Sequence, residues 1–281
     1  MARKEHRFIH MLLALLRGAF IIIILILCLF PILWVLMSSL KTNTDIISGT
    51  IGFPSGFKFS NYAKAFEIAP IGQFYVNSLI TAIGGTLLNL FVMGLAAYAV
   101  ARFEFRGKNF FKLLLSSVLF IPCAALLYPL YVTLSRLGLK DTYAGLFLVY
   151  SGLGMATTFY IIMSYTLTIP KELEEAAYID GAGVLKTYFK IIFPVTKPCF
   201  ASAAVLEFLL CWNEFQFALT LTTGNKVRTL PIALYYFTSQ FSSDYGAMMA
   251  ATVLVALPSI IFYILLQKQV VSGLVSGSVK G

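Results

Sequence analysis

The stretch Ile169-Pro170-Lys171-Glu172-Leu173-Glu174-Glu175-Ala176-Ala177-Tyr178-Ile179-Asp180-Gly181-Ala182-Gly183 interrupts a mostly apolar chain, and its position decides how the rest folds. It holds four of the twelve acidic residues in 281. Apolar runs flank it, about Tyr143–Leu167 before and Cys199–Leu221 after. Each is close to the roughly 20 residues a helix needs to cross about 30 Å of hydrocarbon. A polar island between two such runs is a loop at a membrane surface.

Four further runs of this kind occur, at about Gly18–Met37, Val76–Ala101, Phe110–Leu134 and Ala247–Gln267. Six helical spans are therefore expected in one domain covering residues 1–281, with both termini on the same side. The composition agrees: 59% of residues are hydrophobic and 12% charged, against about 25% charged in an ordinary soluble domain. Mean hydropathy is +0.86. The first run continues past Phe30 as Pro31-Ile32-Leu33-Trp34, without a small-residue cleavage site, so an uncleaved span is expected there. Pro122 and Pro129 mark the third run for a kink or break, and Pro258 marks a bend in the sixth. The run Pro231–Phe237, outside any span, is either a short surface or re-entrant helix or a segment packed on the spans.

Net charge is +9, but the basic residues are scattered between apolar runs, which argues against nucleic acid and for topology. With the N-terminus inside, the cytoplasmic segments hold 14 of the 21 Lys and Arg residues. The positive-inside bias thus places both termini and the 170–198 loop in the cytoplasm. Cys28, Cys123, Cys199 and Cys211 lie in apolar runs without metal-ligand spacing.

Within the loop, Pro170 suits a first helical turn and Glu172, Glu174 and Glu175 suit its positive dipole end. Gly181 and Gly183 can end that helix, and Leu185–Ile192 begins another. Ala176-Ala177 beside a Gly-x-Gly turn leaves room for another backbone. Gly181–Thr187 is not a phosphate-binding loop: Leu185, not Gly, precedes Lys186, and no strand precedes the segment.

Glu175-Ala176-Ala177, then Gly181, then Ile191 and Phe193-Pro194, at these spacings, resembles the EAA loop of ATP-binding-cassette importer permeases. The family has Leu where Phe193 stands. Trp212-Asn213-Glu214-Phe215, Thr229-Leu230-Pro231, Asp244–Ala250 and Val279-Lys280-Gly281 resemble the carbohydrate branch, above all the smaller permease of the maltose type. The resemblance implies an all-α type I importer permease fold with six transmembrane helices and cytoplasmic coupling helices between spans four and five. It implies a second homologous permease, two cytoplasmic ATPase subunits, an external solute-binding protein and lipid as partners. ATP and Mg would sit on the ATPase subunits, with no cofactor on this chain and no enzymatic activity of its own. Carried over, Glu174, Glu175, Ala176, Ala177, Asp180, Gly181 and Gly183 form the ATPase contact, joined by the tail residues Lys280 and Gly281. The implied solute is a sugar or oligosaccharide carried across a bacterial cytoplasmic membrane; another solute, such as glycerol phosphate or a polyamine, is the alternative.

Glu207 and Glu214 stand seven residues apart, on one face of a fifth helix. Carboxylates at that depth belong in the bundle interior or a wet path. Together with Asn213 they either line the solute path or a gate, or make helix–helix hydrogen bonds. Tyr128, Tyr131, Tyr150 and Trp212 are either interfacial anchors or platforms for sugar rings. A carrier working alone would leave the EAA loop without purpose, and no catalytic motif supports an enzyme.

Overall fold

The computed structural model describes residues 2–50, 52–237 and 244–278, with side chains over 10–50, 52–237 and 244–268. In order, the α-helices are α1 (Ala2–Ser38), α2 (Asn43–Ile47), α3 (Ser60–Ile68), α4 (Ile71–Arg102), α5 (Lys108–Val118), α6 (Leu127–Arg136), α7 (Tyr143–Leu153), α8 (Met155–Thr168), α9 (Glu172–Ile179), α10 (Val184–Thr187), α11 (Phe193–Asn213), α12 (Gln216–Leu221) and α13 (Tyr245–Ser278). Short 3₁₀ helices cover Cys123–Leu126 and Leu230–Phe237. Among the described residues there is no strand.

Four stretches are long and apolar enough to cross a membrane unbroken: His10–Ser38, Ile71–Arg102, Val184–Asn213 and Tyr245–Lys268. Two more would qualify if each bent pair counts as one span. Lys108–Val118 and Cys123–Arg136 meet at 105°, and Tyr143–Leu153 and Met155–Thr168 meet at 54°. The break expected near Pro122 is present. The one at Gly154 was not expected from sequence. Pro258 lies inside the continuous α13.

The chain forms two compact units, Met1–Ala69 with Tyr236–Leu254, and Pro70–Tyr235 with Val255–Gly281. In the first, Asn61 Nδ2 donates to the carbonyls of Ser39 and Lys41, each at 2.9 Å. Asn43 Oδ1 accepts from Gly246 N, and Asp244 caps α13 through Ala247 N at 3.0 Å. Two residues of the Asp244–Ala250 motif are thus explained locally. No side chain in the most apolar stretch of α1 is buried, as suits a surface facing lipid or another subunit.

The second unit is built around α4, which packs on α7, α8 and α11. Its buried face carries Ser78, Ala82, Gly85, Asn89, Ala97 and Ala101, mostly small side chains at helical spacing. In a membrane there is no hydrophobic drive between helices, so small residues that admit close approach decide which faces meet. Phe159, Ile162, Phe200 and Ala203 fill the core beside them. Leu230, Ile232 and Ala233 are buried, and Leu230 N donates to Ser78 Oγ at 2.7 Å. The Pro231–Phe237 run therefore follows the packed alternative.

A clasp closes one end of this unit. Asp141, at φ 60°, accepts from Thr223 N, Thr223 Oγ1 and Gly224 N at 3.0, 3.0 and 3.3 Å. Partial burial pushes its carboxyl up, but these donors outweigh that and hold it below the ordinary value. A depressed native pKa contributes stability above the unfolded value, about 3.9, which is lost as pH falls through the native one. The protection factors of the Thr223 and Gly224 amides, exchange measured against the intrinsic rate at each pH, should thus hold from neutral pH down to about pH 4 and fall below it. Asp141→Asn should show low protection throughout. Equal protection in the variant at pH 7 would refute the clasp.

Candidate functional site

Helix α9 is a two-turn helix whose acidic residues sit at its start. Its end is a Schellman turn: Ala182 N donates to Ala177 O, Gly181 N donates to Tyr178 O, and Gly181 takes φ +78°. That left-handed position is where glycine costs least.

The two faces of the loop differ. Glu174 and Ala177, three residues apart, are buried. Glu174 accepts from Arg102 Nε at 2.5 Å and from Tyr98 OH at 3.2 Å, while Arg102 Nη2 donates to Ile169 O at 2.9 Å. Arg102 lies in the last turn of α4, where a cation also complements the helix dipole. Both charges are almost fully buried, with side chains 4% and 7% exposed. Glu174 therefore anchors the loop to α4, and its carboxylate is spent inside the chain. Glu175, Ala176, Asp180, Gly181 and Gly183 are exposed. Beside them Leu173, Ile179, Val184 and Leu185 present exposed apolar side chains, Ile179 at 86% exposure. Exposed apolar patches of this kind mark contacts with protein or membrane. Arg102 and Tyr98, which hold the loop, were not among the residues expected from the sequence. The only signal was a charge at the end of an apolar run, counted for topology.

The second loop helix does not stop at Pro194 or Pro198. It runs unbroken into the next apolar segment as Val184–Asn213. A π-helical turn at Tyr188–Ile192 precedes Pro194 and loosens the hydrogen-bond ladder where the ring would clash with the carbonyl four residues back. Tyr188 is buried against Tyr98, with ring centroids 4.9 Å apart. Both arms of the loop are thus tied to the same end of α4.

The polar residues beyond the loop are separated. α11 ends at Asn213, and Glu214 is extended at φ −69°, ψ 127°, so Glu207 and Glu214 do not share a continuous helix. Glu214 instead caps α12, accepting from Phe217 N at 2.8 Å and Ala218 N at 2.9 Å. Asn213 is exposed; its Nδ2 donates to Leu209 O and its Oδ1 accepts from Ser259 Oγ. Glu207 is buried in mid-helix, 2% exposed. Its carboxyl fills the notch at the α7–α8 break, where a Cβ on Gly154 would fall on Oε2. The aromatic residues also divide. Tyr150 and Trp212 are buried, Tyr131 lies under the Lys140 ammonium, and Tyr128 is 77% exposed. Among the described residues no cluster of His, Cys, Asp or Glu could hold a metal. Lys280 and Gly281 lie outside the described residues.

Residues 91–274 match the family described as binding-protein-dependent transport system inner membrane component. The chain is 36% identical to the probable ABC transporter permease protein YurM of Bacillus subtilis, covering 93% of this chain and 87% of the relative. It is 32% identical to the diacetylchitobiose uptake system permease protein NgcG of Streptomyces coelicolor, over 99% and 91%. With the trehalose transport system permease protein SugB of Mycobacterium tuberculosis it shares 36%, over 90% and 93%. A chain in the crystal structure of a bacterial ABC transporter that imports alginate has the same fold, at TM-score 0.81 and 22% identity, over 92% of this chain and 96% of that one. An all-helical fold, an exposed loop pinned beneath it and matches along nearly the whole chain lead to one conclusion: this chain belongs to the family of inner-membrane components of binding-protein-dependent transport systems.

Proposed function

We propose that this chain is the permease subunit of an ATP-driven importer for a sugar or oligosaccharide in a bacterial cytoplasmic membrane. The observation that carries this is the set of sugar permeases, for diacetylchitobiose, trehalose and melibiose, raffinose and stachyose, that it matches over about nine-tenths of its length. In this reading the two bent pairs each complete a span, giving six, and the loop and both termini face the cytoplasm. A second homologous permease closes the path, and a solute-binding protein delivers sugar from outside. Two ATPase subunits hold ATP and Mg. The face of Glu175, Ala176, Asp180 and Gly181, with Ile179 and Leu185, enters a cleft of an ATPase subunit; Glu174 and Ala177 support it from behind. The loop receives work and performs no chemistry. Asn213 and Glu214 shape the α11–α12 turn beside the path, and Glu207 braces its fourth span.

The test is reconstitution with the partner permease, the ATPase and the binding protein in proteoliposomes. Sugar with binding protein should stimulate ATP hydrolysis, and loss of the ATPase on purification would refute the reading. Gly181→Asp should insert normally yet lose sugar-stimulated hydrolysis. A Cβ there meets nothing within 4 Å, so the damage comes from left-handed strain of up to about 1–2 kcal/mol and a carboxylate on the docking face. Full stimulation in that variant would remove the loop from the coupling path.

A further inference from the structure

Helices α4 and α11 meet closely at one point and leave a groove beside it. Gly94 on α4 lets the Phe200 ring fall against its backbone, where a Cβ would stand 2.7 Å from the ring. Next to Phe200, the methyl groups of Ala201 and Ala204 fill little of the space between the helices. Two cavities of about 380 and 420 Å³ open there, both lined by Leu87, Leu90, Ala201 and Ala204, so they form one groove. It runs from Phe189 and Phe193, at the end nearest the 169–183 loop, to Phe208 and Leu266. On its rim Leu87 and Phe91 are exposed.

Charge along this groove is one-sided. Phe193, Lys197, Ala201, Ala204 and Phe208 follow one another on α11 at spacings of three or four, which places them on one face. Lys197 therefore stands on the groove wall near its loop end. It is exposed, and its ammonium pairs with no carboxylate or carbonyl among the described residues. Lys190, next to Phe189, is likewise exposed and unpaired among them. Towards Phe208 and Leu266 no charged side chain lines the groove.

An apolar slot with free cations at one end fits a molecule with a hydrocarbon tail and an anionic head. From Phe193 to Ala204 the helix rises about 16 Å, close to the half-thickness of a bilayer's hydrocarbon that one acyl chain spans. A helix about 10 Å across would displace about 1,300 Å³ over that length. A neighbouring helix can thus only cover the slot with a row of side chains, whereas an acyl chain can fill it.

We propose that the α4–α11 groove binds an acyl chain of an anionic phospholipid, with Lys197 and Lys190 on its phosphate. The lipid sits between the two helices that hold the loop, α4 through Arg102 and α11 by direct continuation. This site does not depend on which solute the chain carries.

The test uses the full chain with its partner subunits, extracted from membranes in mild detergent and supplied with phosphatidylglycerol or phosphatidylcholine. In native mass spectrometry this chain should retain phosphatidylglycerol in preference to phosphatidylcholine. Lys197→Gln should weaken retention of phosphatidylglycerol about fivefold, the worth of one lysine beside anionic lipid, and leave phosphatidylcholine unchanged. Ala204→Phe, which fills the slot, should lower retention of both. A photoreactive benzoylphenylalanine in place of Leu87 should crosslink to phospholipid. Unchanged retention of phosphatidylglycerol in Lys197→Gln, or a Leu87 crosslink to the second permease in place of lipid, would overturn the site.

Discussion

Arg102→Met should disable coupling while leaving the apolar helices in the membrane. The substitution leaves Glu174 buried without its counter-charge, and breaking a buried pair in this way costs about 3–5 kcal/mol. Tyr98 OH, at 3.2 Å, cannot replace a guanidinium. The bond from Arg102 Nη2 to Ile169 O goes as well, so the loop loses its hold just before α9 begins. The expected results are loss of most sugar-stimulated ATP hydrolysis and fast amide exchange over residues 172–179. The double variant Arg102→Met with Glu174→Met should recover much of both, because removing a buried pair together costs far less than removing one partner. Native exchange protection of α9 in the single variant would show that the pair does not hold the loop.

The second large effect is expected at Gly154. A Cβ there overlaps Glu207 Oε2, and the backbone breaks by 54° at the same point. Gly154→Ala therefore displaces the Glu207 carboxyl from the notch or shifts the break itself. Overpacking of this kind costs about 1–3 kcal/mol. Glu207→Ser vacates the notch, so the two substitutions should be strongly non-additive, with a coupling of about 0.5–3 kcal/mol and partial recovery of transport in the double variant. Purely additive losses, measured as complex yield and initial transport rate, would show that the carboxyl and the glycine do not share the site.

Both effects concern residues whose partners are distant in sequence, and this separates what was legible from what was not. The Schellman turn at Gly181 was legible because every group in it lies within six residues. The break near Pro122 was legible because a ring without an N–H disrupts its own helix. Arg102 was visible only as a charge, since nothing near residue 102 announces a carboxylate at 174. Glu174 was read as part of the docking face because motif spacing does not say which side of a two-turn helix faces inward.

The loop from Ile169 to Gly183 shows the division most clearly. The sequence by itself determined that the chain is helical and membrane-spanning, that this polar segment interrupts it, and that a short helix ends at Gly181. Hydropathy, dipole preference and glycine torsion are local properties, carried by neighbouring residues. Only the tertiary structure decided which carboxylates are free to meet a partner. It turned Glu174 onto Arg102, wedged Glu207 against Gly154 and committed Glu214 to the α12 amides, leaving Glu175 and Asp180 outside. A carboxylate held away from water takes whatever donor or gap the packing of α4, α8 and α11 brings to it, and that packing is decided by small side chains far away in the chain.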